Sequence, residues 1–278
     1  MSEFAWPVLL FLGFIGCFAG FMAGLLGMGG GVIYNPLFLW AFAIFGVSPE
    51  IGVHLAFGTS LAIILPTALS GLRVHYAAGS IHWDQVWRLA LGSSLGALVG
   101  GRFAALTPGL WLRALFGLML LGVAARVSWA HPVPRDDSEV GKAQLTRLFP
   151  VGFAGGSFAA FFGVSGAIVV LPLLLLVMKQ PMQTAVASSS ALMVVSCTVG
   201  VCSYVFHGWN HPLLPPFSYG FVNLLIVAVC LPTTTIFAHL GAKMTHRFSH
   251  ERLIRIYACV LTVVGLWMVG NTLVRLAG

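Results

Sequence analysis

Runs of about 20 apolar residues follow one another along the whole chain, each long enough at 1.5 Å per residue to cross the hydrocarbon core of a bilayer. They can be drawn over 5–27, 31–47, 51–72, 86–107, 110–128, 148–163, 166–178, 184–206, 217–240 and 253–274. With 59% hydrophobic and 8% charged residues against the roughly quarter-charged usage of soluble domains, a water-soluble fold is excluded. The expectation is an all-α polytopic membrane protein of about ten helical segments.

The first segment has no basic residue before it and runs past Gly27, too long for a cleavable signal peptide, so it reads as the first helix. Cys17, Cys197, Cys202, Cys230 and Cys259 lie inside apolar runs without C-x-x-C pairing and read as small core residues. The net charge of +7 would suggest a nucleic-acid partner in a soluble protein. Here the basic residues sit in short loops, where they set orientation, and no nucleic-acid partner is read. If each helix crosses once, eleven Lys and Arg collect on one side and only Arg102, Arg113 and Arg275 on the other. The positive-inside rule then places the polar linker 131–147 in the cytoplasm and both termini on the periplasmic side.

That linker divides the chain into a first transmembrane repeat, 1–130, and a second, 148–278. At an offset of 136, Gly16, Gly20, Gly27, Gly30 and Pro36 fall on Gly152, Gly156, Gly163, Gly166 and Pro172. Five helices is an odd number, so the second half enters the membrane from the opposite face. Two inverted-topology five-helix repeats follow, an arrangement suited to alternating access. Chance matching of glycines in Gly-rich membrane helices is the plainer alternative.

Each half opens with a helix break: Gly24-Leu-Leu-Gly-Met-Gly-Gly-Gly31 followed by Asn35-Pro36, and Gly163-Val-Ser-Gly166 followed by Pro172. The short helices after these breaks suggest broken or re-entrant pairs whose turns meet near the midplane. Non-helical backbone at that depth must be buried in protein or line a polar cavity. Helix N-termini there suit an anion, and glycine lets backbone amides approach it. Candidate substrate-binding residues are therefore Gly29, Gly30, Gly31, Asn35, Ser165 and Gly166, joined by the hydroxyls of Thr59, Ser60, Ser188, Ser189 and Ser190 in the third and eighth helices. Tight packing for glycines, and bonding to a carbonyl one turn back for hydroxyls, are the structural alternatives.

No charged residue stands clearly at mid-span, which argues against a carboxylate proton relay. Arg102 and Lys243, at matching positions near opposite faces, and His75 near a helix end are vestibule candidates, with snorkelling or interfacial packing as the alternative. No metal-ligand spacing appears among the nine histidines, and neither metal nor cofactor is called for.

The first glycine motif with Asn35-Pro36, then Ala56-Phe-Gly-Thr-Ser-Leu61, His75 to Ile81-His-Trp-Asp84, Gly163-Val-Ser-Gly166 and Ala187-Ser-Ser-Ser190 resemble the sulfite exporter TauE/SafE family, over about residues 10–270. Tyr34-Asn35 stands where that family often has a longer aliphatic run. The resemblance implies a bacterial inner-membrane permease for sulfite, organosulfonates or other sulfur oxyanions, often in export. Its expected partners are a small anionic substrate and membrane lipid, with a homo-oligomer allowed. A rival reading is a rhomboid-like intramembrane serine protease using Ser165, within Gly163-Val-Ser-Gly166, and His239. Against it stand Gly241, one place too early for A-H-x-x-G, the internal repeat, and ten helices where about six are needed.

Overall fold

The computed structural model of the chain describes residues 5–26, 30–128, 147–245 and 250–277. Among them are ten α-helices: α1 (Ala5–Leu26), α2 (Gly31–Ile44), α3 (Pro49–Ala77), α4 (Trp83–Leu106), α5 (Gly109–Ser128), α6 (Leu148–Phe162), α7 (Ala167–Pro172), α8 (Met182–His207), α9 (Leu224–Thr245) and α10 (His250–Ala277). Among the described residues, α3, α4, α5, α8 and α9 contain stretches long and apolar enough to cross a membrane. The expected all-α polytopic architecture is what the chain adopts. The linker lies almost wholly outside the described residues, of which it includes only Arg147.

Local chemistry explains most helix ends. Ser48 accepts from the Glu50 amide at 3.4 Å and Pro49 occupies the first helical position, so α3 begins two residues before its apolar run. Two departures from expectation have clear causes. The segment expected to be helical from 217 first forms a short antiparallel hairpin, β1 (Ser218–Tyr219) and β2 (Val222–Asn223). Phe217 and Gly220 both have positive φ, which a helix does not accommodate. Asn223 then caps α9, its Oδ1 accepting from the Ile226 amide at 3.0 Å. Beyond α7 the chain continues as a single π-helical turn over Leu173–Val177, next to Pro172, instead of the continuous helix expected to 178.

The parts on either side of the linker exchange partners. Helix α1 packs on α9 and α4 on α6, while α3 meets α8 and α5 meets α10. In lipid no hydrophobic driving force separates helix from helix, so such contacts depend on close approach through small residues. A Cβ on Gly20 would lie 2.6 Å from the Thr234 oxygen, and one on Gly24 would meet the Ala238 carbonyl. The α4–α6 pair is the same contact made twice over: Gly92, Gly96 and Gly100 face the backbone of Phe149, Phe153 and Ser157, and Gly152 and Gly156 face Leu89 and Ser93. Gly16 and Gly20 meet Cys230 and Thr234 at positions 141 residues beyond Leu89 and Ser93, so both interfaces use one register.

The main core gathers around α2 and α3, with Tyr34, Phe38, Phe42, Phe57 and Phe116 almost fully enclosed. A smaller cluster joins Leu89, Leu148, Val170, Leu174 and Leu192 where α4, α6, α7 and α8 adjoin. Leu91, Leu95, Leu98 and Phe103 on α4 are exposed on the outside, as a lipid-facing surface requires. Exposed Trp83 and Trp87 at the start of α4, Trp111 at the start of α5 and Trp209 beyond α8 lie where an interfacial aromatic belt is expected.

Candidate functional site

The two glycine turns touch. Gly30, with φ of 72°, starts α2, and Gly163, with φ of 61°, ends α6; both occupy the left-handed region that a side chain disfavours. A Cβ on Gly31 would stand 2.9 Å from the Val164 Cα and 3.1 Å from the Gly163 oxygen. One on Gly163 would run into Phe57 of α3. At 14 residues α2 spans about 21 Å at 1.5 Å per residue, well short of a hydrocarbon core of about 30 Å.

Side chains from the first part hold the turn of the second. Asn35 Nδ2 donates to the Phe162 oxygen at 2.8 Å and the Gly163 oxygen at 3.0 Å. Ser60 Oγ lies 2.7 Å from the same Gly163 oxygen and 2.9 Å from the Phe57 oxygen. These carbonyls end α6 and have no following turn to accept from, so side-chain donors take the place of helix amides. The consequence for chemistry is specific. Asn35 and Ser60 are at the junction, but they donate to carbonyls, and Asn35 turns toward its surroundings a buried Oδ1 acceptor with no partner.

The other candidates divide in the same manner. Thr59 Oγ1 accepts from the Asn223 amide at 3.0 Å and so ties α3 to the start of α9. Ser165, fully buried, contacts Met193 Sδ at 2.8 Å and accepts from the Ala167 amide at 3.2 Å; Gly166 packs close to Gly155 and Leu192. Ser189 donates to the Val186 oxygen at 3.0 Å, and Ser190 is half-buried beside it. Ser188 alone among the α8 serines is fully buried with no partner for its hydroxyl. Gly29 lies outside the described residues. Ile33 and Tyr34 amides return to the Gly30 oxygen, so the amides that helix geometry leaves over at the start of α2 are those of Gly31 and Val32. The donors left without a partner are thus the Gly31 and Val32 amides at the junction and, on α8, the Ser188 hydroxyl.

The vestibule candidates stand apart from the junction. Arg102 near the end of α4 and Lys243 near the end of α9 are exposed and obey the same 141-residue register as the glycine interfaces; His75 is half-buried in the last turn of α3. Ser165 and His239 do not form a catalytic pair: the serine is bonded as above, while His239 is exposed on α9. A cleft of about 480 Å³ between α4 and α6, lined by Val99, Phe103, Phe158 and Phe161, reaches Phe162, whose carbonyl Asn35 holds. Phe162 also meets Phe116, which in turn meets Phe57.

Two residues escaped the reading of the sequence. Asn223 is hidden within an apolar run that reads from 217, although Asn before Leu-Leu-Ile is a helix-start signal. His54 sits inside the apolar run of α3, where hydropathy averages it away; its two ring nitrogens each lie 3.0 Å from a carbonyl oxygen.

The family model described as "Sulfite exporter TauE/SafE" matches residues 12–268. A protein of Haemophilus influenzae named "Probable membrane transporter protein" is 28% identical over 91% of this chain and 95% of its own length. A similarly named protein of Methanocaldococcus jannaschii is 26% identical over 94% of each. One from Xylella fastidiosa is 30% identical over 63% of this chain and 65% of its own. No solved structure matches.

Proposed function

Because the chain belongs to the sulfite exporter TauE/SafE family and is accordingly a multi-pass membrane transporter, we propose that it exports small sulfur-containing anions, sulfite or organosulfonates, by alternating access. The observation that carries this reading is the contact of the Gly30–Gly31 turn with the Gly163–Val164 turn, one from each side of the linker. Broken helices meeting inside a membrane are the usual place for a transported ion, since irregular backbone there needs a polar partner. Unengaged amides at the start of α2 and the Ser188 hydroxyl on α8 suit an oxyanion, and neutral donors hold it without trapping it.

In this reading the units are 1–130 and 148–278, inverted relative to one another about a cytoplasmic linker 131–147, in the bacterial inner membrane with both termini periplasmic. The exchange of partners, α1 with α9 and α4 with α6 in one register, supports such a pseudo-symmetric pair. Rocking of one against the other opens the junction to each face in turn. Arg102 and Lys243 draw anions to the two mouths.

Flux of sulfite, thiosulfate and sulfoacetate in proteoliposomes tests the proposal. Wild-type protein is expected to move at least one of them, and Ser188→Ala to weaken half-saturation with little loss of folded protein. Absence of flux for all three sinks the substrate reading. A peptide-cleaving activity lost in both Ser165→Ala and His239→Ala would establish the protease instead.

A further inference from the structure

His54 is 6% exposed, in the second turn of α3, and both of its ring nitrogens meet carbonyl oxygens: Nδ1 the Glu50 oxygen and Nε2 the Ala104 oxygen, each at 3.0 Å. A carbonyl oxygen only accepts. Neutral imidazole has one N–H, so either tautomer satisfies one contact and sets a nitrogen lone pair against an oxygen lone pair in the other. The imidazolium ion donates to both. Two acceptors facing a ring that carries one N–H when neutral give it a place for a second proton.

The ring lies close to the exposed beginning of α3 and to the end of a second helix. Glu50 is exposed one turn earlier on the same helix, and the segments 45–48, 107–108 and 208–221 gather near this end of α3. The ring of Phe221 lies 5.1 Å from that of His54, with His211 beyond it at 5.6 Å. On the neighbouring helices the charged or imidazole groups toward this end are Arg102 on α4, Arg113 on α5, which lies 4.9 Å over the Trp267 ring, and His207 at the end of α8, bonded to the Ser203 oxygen; Asp84 and Arg88 on α4, Arg126 on α5 and His239 and Lys243 on α9 stand toward the opposite ends of those helices. The Nε2 contact is the one that joins α3 to the last turn of α4. Thr59 and Ser60 follow less than two turns further along α3.

We propose that His54 is the proton-binding residue that couples anion movement to a proton gradient; this rests on the transport reading above. A hydronium ion gives its proton to the bare ring nitrogen and leaves water, and no other covalent bond is made or broken. The imidazolium completes its second hydrogen bond and ties α3 to α4. Loss of the proton frees one of the two contacts and with it the movement of α3 on which Thr59 and Ser60 ride.

Two measurements on full-length protein test this. In nanodiscs with 15N-labelled histidine, the His54 ring signal, assigned by its loss in His54→Asn or His54→Gln, is expected to pass from two protonated nitrogens to one between about pH 4.5 and 8.5. A ring neutral throughout that range overturns the proposal. In proteoliposomes the probe is isethionate, a sulfonate that stays singly charged, so that the substrate itself carries no proton. Wild-type vesicles are expected to accumulate it up a pH gradient, approaching about a hundredfold for about two pH units at one proton per anion. Both His54 variants are expected to keep downhill exchange and lose the accumulation; accumulation equal to wild type in either overturns the coupling. If neither isethionate nor sulfite moves in the wild type, the transport reading fails, and the NMR titration alone decides whether His54 is a proton site.

Discussion

Replacing Asn35 by leucine keeps the side-chain volume of a fully buried position and removes both donors that hold the end of α6. The Gly163 oxygen retains Ser60, whereas the Phe162 oxygen loses the side-chain donor that reaches it. Interhelical hydrogen bonds in membranes contribute about 0.6 kcal/mol on average and up to about 1.7, because the unfolded chain in lipid also finds partners. Two bonds therefore give an expected loss of about 1–3 kcal/mol, a shift of about five- to 150-fold in the unfolding equilibrium. Ser60→Ala alone is expected to cost less, since Asn35 still serves the shared oxygen. The double variant leaves that buried oxygen bare and should exceed the sum of the singles by about 0.5–1 kcal/mol. Reversible unfolding in mixed SDS and mild detergent, followed by circular dichroism, measures all four corners of the cycle. Additivity within about 0.3 kcal/mol, or an Asn35→Leu cost below about 0.5 kcal/mol, refutes the idea that these two residues jointly hold the second turn.

Gly96→Val should abolish the close approach of α4 to the Phe153 backbone and cost more than about 3 kcal/mol, while Gly122→Ala, with open space around it, should be neutral or gain up to about 1 kcal/mol; thermal shifts of detergent-solubilised protein compare them. Thr59→Val should lose about 0.5–2 kcal/mol through the Asn223 amide, with Thr59→Ser restoring most of it in the same assay. The proposed orientation predicts that Leu213→Cys reacts with a membrane-impermeant maleimide in intact cells and that Ala78→Cys does so only after permeabilisation; the reverse pattern would invert the topology.

Much of the architecture was legible along the chain. Ten apolar segments matched the ten helices closely because, in lipid, each span must satisfy its own backbone and so advertises itself by length and composition. The exceptions are local and have local causes: the hairpin before α9, where Phe217 and Gly220 turn the chain, and the π turn beside Pro172. The glycines that pack α1 against α9 and α4 against α6 were visible as repeated small residues, though their partners were not.

What the chain by itself determined is therefore the membrane class, the helices and the two breaks at Gly30–Gly31 and Gly163–Gly166. What only the tertiary structure decided is which polar groups at those breaks are engaged and which are left over. Asn35, Ser60 and Thr59 looked like donors for an anion, yet their partners at Phe162, Gly163 and Asn223 lie more than a hundred residues away. Ser188 and Ser189, neighbours in sequence, differ because one hydroxyl returns to a helix carbonyl and the other does not. His54 shows the same reason most plainly. Hydropathy is a property of a segment and can be summed along it, but the satisfaction of a hydrogen bond is a property of a pair, and Ala104 meets His54 only when the end of α4 has been brought beside α3 by the rest of the bundle.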